Sequence, residues 1–281
     1  MKDIAYYNGE IGRIDEIKAP ITDRGFYFGD GVYDAACVRN KKPFALDDHL
    51  DRFYNSLRLL RIESPMPRAQ LDALLRDLCT RLDTDGDYIC YWQATRGAAH
   101  RKHSFPQDTA PRLMAFIEPT TVDDVKQHMK LITVEDTRFF HCNIKTLNLI
   151  PNILATQSAR EAGCDEVVFH RGDNVTECAH SNIAMFKDGV FCTPPLNQLI
   201  LPGITRKHCL ALCSSLGIPT NEDPISLEQL FAADEVLVLS SGCLGAPVSH
   251  IDGKPVGGKE PVLMQALQNA YQQKFDAETA R

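Results

Sequence analysis

His-Cys-Asn-Ile-Lys-Thr-Leu-Asn-Leu-Ile (141–150) places one lysine, Lys145, among Ile144, Leu147, Leu149 and Ile150, with no acidic residue in the segment. An ammonium held among apolar side chains loses hydration, so its pKa falls and the neutral amine becomes available. The neutral amine is the species that forms a Schiff base with a carbonyl carbon. The alternative is a lysine whose stem lies along apolar surface while its head reaches water. The segment alone leaves both readings open. What decides between them is whether the rest of the chain can hold a carbonyl-bearing ligand.

Three further stretches could each hold an anion. Leu-Pro-Gly-Ile-Thr-Arg (201–206) lies at an expected helix start, where unpaired backbone N–H groups and the helix dipole favour negative charge. Gly203 allows close backbone approach and Thr205 adds a hydroxyl, although an ordinary helix start would read the same. Ser240-Ser241-Gly242 follows an expected strand and offers small donors in a turn. Arg52 interrupts the apolar stripe of its helix and is either a charged clamp or a surface arginine. Glu177, in Asn-Val-Thr-Glu-Cys-Ala-His-Ser-Asn (174–182), is either a solvated turn carboxylate or a buried one that needs a cationic partner. A protonated pyridine nitrogen would supply that cation. A phosphorylated cofactor bearing an aldehyde would use the lysine and the anion sites together.

Composition narrows the partners. The 281 residues carry 30 basic and 37 acidic side chains, a net −7, which argues against nucleic acid or an anionic membrane surface. Hydrophobic content of 44% and charged content of 24% are those of a globular chain with one large or two moderate domains. No apolar h-region opens the sequence and no run reaches membrane-span length, so a cytoplasmic protein is expected. The ten cysteines contain no Cys-x-x-Cys; reduced, mostly buried thiols are expected, and Cys209/Cys213 beside His208 lack a second pair of metal ligands. There is no Walker A motif, and Gly25, Gly29 and Gly31 have the wrong spacing for a dinucleotide fingerprint and are not expected to open a helix.

Periodicity predicts a mixed α/β chain. A strand is expected over 33–39. Asp47 or Asp48 should then cap a helix with Leu50, Phe53, Leu57 and Leu60 on one face. A second helix carries Leu71 to Leu82, and strands follow at 88–95 and 113–117. Glu118-Pro-Thr-Thr-Val-Asp-Asp is polar and turn-prone, which divides the chain into an N-terminal α/β domain (1–118), a linker (119–124) and a C-terminal cofactor-binding α/β domain (125–281). In the latter, Pro151 and Gly163 bracket a helix, Asp188-Gly189 and Asp252-Gly253 mark hairpins, and helices are expected over 204–216 and from about 261.

Taken together, Asp-Arg-Gly-Phe-Tyr-Phe-Gly-Asp-Gly-Val-Tyr (23–33), His-Leu-Asp-Arg-Phe (49–53), Lys-Thr-Leu-Asn (145–148), Val-Thr-Glu-Cys-Ala-His-Ser-Asn (175–182) and Leu-Pro-Gly-Ile-Thr-Arg (201–206) resemble the class IV pyridoxal-phosphate aminotransferases, in the family's order and across nearly the whole chain. Thr-Arg-Gly-Ala-Ala-His-Arg-Lys-His-Ser-Phe-Pro (95–106) is similar to the subgroup that acts on D-amino acids. The resemblance implies the two-domain fold type IV, a homodimer, and pyridoxal 5'-phosphate as cofactor. It implies that Lys145 forms the Schiff base, that Glu177 pairs with the pyridinium nitrogen, and that Arg52, Ile204, Thr205 and Ser241 hold the phosphate. Tyr33, Arg101 and His103 would receive the substrate carboxylate, the last two from the partner subunit. The implied reaction moves an amino group from a D-amino acid such as D-alanine to a 2-oxo acid such as 2-oxoglutarate, giving pyruvate and D-glutamate.

The sequence departs from the family pattern at Ala179-His180, at Gly242-Cys243 and at Asp34, where glutamate is frequent; the first two are expected to alter the pocket and weaken one phosphate contact. Rival readings within the family are a branched-chain L-amino-acid aminotransferase, an aminodeoxychorismate lyase or an (R)-amine aminotransferase. Outside it stand a protein that binds the cofactor without turnover and a cofactor-free lysine aldolase.

Overall fold

Alternation of buried and half-buried residues in 87–94 and 112–117 makes two long strands with one face on a core, and the first sheet is built around them. The computed structural model describes residues 1–121, 127–243 and 245–281. In its first part, β1 (Ile4–Tyr7), β2 (Glu10–Gly12), α1 (Arg24–Phe28), β3 (Gly31–Arg39), β4 (Lys42–Pro43), α2 (Leu46–Leu59), α3 (Arg68–Thr80), β5 (Asp87–Thr95) and β6 (Arg112–Pro119) follow in order. The strands form an antiparallel sheet in the order β2-β1-β6-β5-β3-β4. Leu50, Phe53 and Leu57 of α2 and Leu71, Leu75 and Leu78 of α3 share one core with Val32, Ala36, Val38, Cys90 and Trp92.

In the second part come β7 (Met129–Glu135), α4 (Ile150–Glu161), β8 (Glu166–Arg171), β9 (Asn174–Cys178), β10 (Asn182–Lys187), β11 (Val190–Cys192), α5 (Ile204–Ser215), β12 (Thr220–Asn221), α6 (Leu227–Phe231), β13 (Glu235–Leu239), β14 (Ala246–Ile251), β15 (Lys254–Pro255) and α7 (Pro261–Thr279). The sheet order is β12-β11-β10-β13-β14-β7-β8-β9, with β15 beside β14. β7 and β8 are parallel and joined through α4, whose Ala155 and Ala159 pack on Val167 and Phe169. β13 is buried along its whole length, as both-face coverage requires. The turns at Asp188-Gly189 and Asp252-Gly253 have positive φ at both residues, the geometry that matches strand twist in a two-residue hairpin.

Contacts divide the chain into two units: Met1–Val122 with Ile144–Asn148 and Phe275–Arg281, and Asp123–Asn143 with Leu149–Lys274. Lys145, expected within the C-terminal domain, therefore belongs to the first unit; residues 122–124 of the expected linker lie outside the described residues.

Other local expectations also change. Ala45, in the left-handed conformation, is the cap residue of α2, and Asp47 and Asp48 fall inside its first turn. Gly25 lies within the five-residue helix α1, because Asp23 caps it by accepting from Gly25 N and Gly29 closes it. Glu177 sits in strand β9, with both neighbours buried. All ten cysteines are free thiols, seven of them buried. Among the described residues, no helix is long and apolar enough to cross a membrane.

Candidate active site

In the first unit, the lysine segment is docked by its backbone. Tyr33 N donates to Lys145 O at 3.0 Å and Leu147 N to Gly31 O at 3.2 Å, an antiparallel bridge beside the start of β3. Lys145 N donates to the buried Ser56 Oγ at 3.3 Å. With both peptide groups fixed, the side chain leaves in one direction, and Nζ lies 4.2 Å from the centroid of the Tyr33 ring. Of the flanking apolar residues, Ile144 is buried in the core of this unit, whereas Ile150 is 67% exposed.

Ser56, Arg52 and His49 are spaced four and three residues apart, so α2 presents them on one face. Arg52 donates twice to Asp34, Nε to Oδ2 at 2.9 Å and Nη2 to Oδ1 at 2.7 Å. His49 Nδ1 lies 2.8 Å from the same carboxylate. Burial alone would raise the Asp34 pKa, but Arg52 and His49 hold it well below the usual carboxylate range. Burial lowers the His49 pKa against the pull of Asp34. A neutral imidazole beside an ionised carboxylate carries its proton on Nδ1 and leaves Nε2 an acceptor, and that buried Nε2 has no hydrogen-bond partner among the described residues. Tyr33 is stacked on Tyr91, centroids 5.3 Å apart. Arg101 and His103 are exposed, and both rest on Phe28, at 5.0 and 5.2 Å from its ring centroid.

In the second unit, Glu177 is buried and accepts hydrogen bonds at both oxygens. Oε1 accepts from Arg138 Nη1; Oε2 accepts from Asn182 Nδ2 at 3.0 Å and from Leu201 N at 2.9 Å. Asn182 Nδ2 also donates to Leu201 O at 3.0 Å, so the carboxylate is tied to the turn that opens α5. Glycine precedes that helix at 203 because a Cβ there would run into Asn182 Oδ1. No side chain caps the first turn of α5, which begins with Ile204 and the buried Thr205, and Tyr271 OH donates to Thr205 Oγ1 at 3.3 Å. Burial pushes the Glu177 pKa up to about 7, and Arg138 offsets only part of that. The guanidinium is divided: Nε and Nη2 serve Asp136 at 2.9 and 3.0 Å, and only Nη1 faces Glu177.

The departures from the family pattern have physical consequences. His180 is 63% exposed on its side chain and turns Nδ1 back to the buried Glu166, which also accepts from Val167 N, Ala179 N and Ser181 Oγ. Cys243 folds inward, its thiol donating to Val238 O at 3.3 Å, while half-buried Ser241 stays in the turn after β13. A surface cleft bounded by Arg171, Thr176 and Leu199 contains none of the nine residues expected to form the site.

Sequence reasoning missed Arg138, Asp136, Asn182, Asp34, His49 and Ser56 as partners. Asn182 and His49 stand inside the quoted motifs, and Asp136-x-Arg138 carries its own signal in side chains two apart on an extended segment.

The family described as Amino-transferase class IV matches residues 31–251. A D-alanine aminotransferase of Staphylococcus haemolyticus is 36% identical over 98% of this chain and 99% of its own, and one of Bacillus licheniformis is 35% identical over 98% of both. Among solved structures, the branched-chain amino acid aminotransferase of Escherichia coli superposes with a TM-score of 0.90 at 23% identity, covering 99% of this chain and 96% of that one. A second branched-chain amino acid aminotransferase, solved with pyridoxamine 5'-phosphate, gives 0.89 at 25%, covering 99% and 94%. A match over most of the chain, in sequence and in fold, makes this protein a member of the class IV aminotransferases.

Proposed function

We propose that this enzyme uses pyridoxal 5'-phosphate to move the amino group of a D-amino acid such as D-alanine to a 2-oxo acid such as 2-oxoglutarate, as a cytoplasmic homodimer. The observation that carries the reading is the junction at Glu177. A buried acid pushed up to about 7 is short of positive charge, and through Asn182 and Leu201 it is tied to a helix start that no side chain caps. Those two deficits suit a ligand with a cationic ring nitrogen at one end and a phosphate at the other. The D-alanine aminotransferases at 35–36% identity support the choice of substrate.

Bound pyridoxal phosphate supplies an aldehyde carbon that takes up the amino group and a ring that accepts electrons from the substrate Cα. The residues then divide the work. Lys145 Nζ would take the proton from the substrate Cα and pass it to the cofactor carbon that takes up the amino group, as general base and then acid. Glu177 keeps a proton at the ring nitrogen by supplying the opposing charge. On this reading Arg52, its guanidinium aligned by Asp34, would be a phosphate ligand, as would Ile204, Thr205 and Ser241. Tyr33, Arg101 and His103 bind the substrate carboxylate, which selects the hand of the amino acid.

The branched-chain reading rests on fold likeness at 23% identity, and Arg101-x-His103 is the feature that favours D-amino acids over it. A half-reaction panel decides: D- and L-alanine, glutamate and leucine are added singly and the visible absorbance of the bound cofactor is followed. Fastest loss with a D-amino acid is expected; fastest loss with L-leucine would replace this reading by the branched-chain one. Lys145→Ala should retain the fold and lose turnover by about 10²–10⁴-fold or more. Borohydride reduction of the wild type should leave the pyridoxyl group on Lys145 and no other lysine.

A further inference from the structure

Between Tyr88 and Gln107 the chain has no acidic residue, and His100, Arg101, Lys102 and His103 follow one another in the loop after β5. Such a loop would ordinarily wander, because its side chains are exposed and repel one another. Here it is strapped down. Arg24 N donates to Gly97 O and Ala99 N to Thr22 O, both at 2.9 Å, and Asp23 and Ala98 form an antiparallel bridge. The Arg24 side chain is buried, with Nη1 donating to Lys102 O at 2.7 Å and Nε to Asp30 at 2.7 Å. Asp30 also accepts from Arg96, whose guanidinium lies 3.6 Å from the centroid of the Phe105 ring. One carboxylate therefore orients both arginines that hold the loop, one at Lys102 and one at Phe105.

Lys102 stands between Arg101 and His103, so fixing its carbonyl fixes the peptide planes on both sides. Phe28 lies four residues after Arg24, one turn along the same face of α1. Its ring takes Arg24 at 4.9 Å, Arg101 at 5.0 Å and His103 at 5.2 Å. Contact between guanidinium and ring face is weakly attractive, and an exposed arginine resting on a ring loses less freedom when it later meets an anion.

We propose that Arg24 and Phe28 are positioning residues for substrate selection: they hold Arg101 and His103 together against one aromatic ring, pre-set for a carboxylate. They act through those two side chains, so the proposal rests on the reading of Arg101 and His103 as the carboxylate site. Leucine at 28 fills similar space without a π face, and tyrosine restores the face. Lysine at 24 keeps a charge for Asp30 but cannot reach Asp30 and the Lys102 carbonyl at once.

The test measures KM and kcat for D-alanine, Ki for propionate as a carboxylate without an amine, cofactor affinity and Tm. The holoenzymes compared are wild type, Phe28→Leu, Phe28→Tyr, Arg24→Lys and Arg101→Ala. Phe28→Leu and Arg24→Lys should raise KM and Ki together by about three- to tenfold, with kcat and cofactor affinity within about twofold of wild type. Phe28→Tyr should restore both constants. If Arg101→Ala raises KM and Ki while Phe28→Leu and Arg24→Lys leave them at wild-type values, the positioning role is overturned and the carboxylate reading stands. If Arg101→Ala itself changes neither, the carboxylate reading falls and takes the proposal with it. Should Phe28→Leu fail to fold, Arg24→Lys alone decides, and an unchanged Ki for propionate in it overturns the proposal.

Discussion

Asp34 in the first unit and Glu177 in the second are both buried acids facing an arginine, and the two units leave them in opposite states. Asp34 receives the Arg52 guanidinium through two nitrogens and the His49 imidazole on the same carboxylate, and its pKa falls well below the usual range. Glu177 receives one nitrogen of Arg138, whose other two nitrogens both donate to Asp136, and burial pushes it up to about 7. The Asp136 pKa is lowered because Arg138 and Arg171 outweigh burial there. The difference lies in how much of a guanidinium each acid commands. A bidentate pair closed by an imidazole fixes geometry, whereas an acid with a third of a shared cation keeps room for another positive charge.

Breaking the closed pair should cost the most stability. Asp34→Ala leaves Arg52 largely buried without its carboxylate, a change that costs about 3–5 kcal/mol. The urea midpoint of the cofactor-free protein should drop accordingly. Glu177→Gln should behave differently: it keeps two of the acceptor contacts and removes a charge that burial disfavours, so at pH 8 its urea midpoint should be no lower than that of the wild type. Its cost should appear instead in the single-turnover proton transfer, slowed roughly a hundredfold. Equal stability losses in the two variants would dissolve the distinction, and an unchanged single-turnover rate would make Glu177 a structural acid.

Much of this was legible in the sequence, and what was not has a physical reason. Apolar spacing located α2 and α3 because helix faces must cover a sheet, and Asp-Gly pairs located two hairpins because few residues accept positive φ. All nine expected site residues were quoted from motifs, yet their partners were harder to see. Arg138 reaches Glu177 across 39 positions and Lys145 N reaches Ser56 across 89, and no local period records such contacts. The five-residue α1 was missed because glycine signals a turn, while the device that makes it a helix is one Asp23 side chain. Flanking residues in an irregular segment differ in setting: Ile144 is buried and Ile150 is 67% exposed.

Acidity gives a finer separation of the two carboxylates. A carboxyl whose folded pKa is depressed, as for Asp34, adds stability above its unfolded value near 3.8 and loses it as pH falls through the folded one. Glu177 runs the other way. Its folded pKa of about 7 exceeds the unfolded 4.5, so its contribution is full below about pH 4.5 and disappears as pH rises through 7. The cofactor-free wild type should therefore lose up to about 3 kcal/mol relative to Glu177→Gln between pH 4.5 and 8.5. Asp34→Asn should leave that alkaline loss in place. Thermal midpoints of the variants across this range measure it, and a flat wild-type minus Glu177→Gln difference would mean that Glu177 stays ionised throughout.

Gly203→Ala tests the second cluster at its smallest part. The backbone there, φ −67° and ψ 139°, is ordinary for alanine, so any effect comes from space alone. The new Cβ would overlap Asn182 Oδ1, and Asn182 cannot simply turn away, because its Nδ2 bridges Glu177 and Leu201 O. Moving it forfeits about one hydrogen bond, on the order of 1 kcal/mol, and lowers the thermal midpoint by a few degrees. It also removes a donor from a carboxylate that already lacks charge. The ionised form then loses a partner, its pKa rises further, and the alkaline loss of stability begins at a higher pH. An upward shift in that onset, with cofactor affinity reduced by about fivefold, is the expected result. Wild-type affinity and an unmoved onset would mean that the Asn182 bridge does not connect Glu177 to the start of α5.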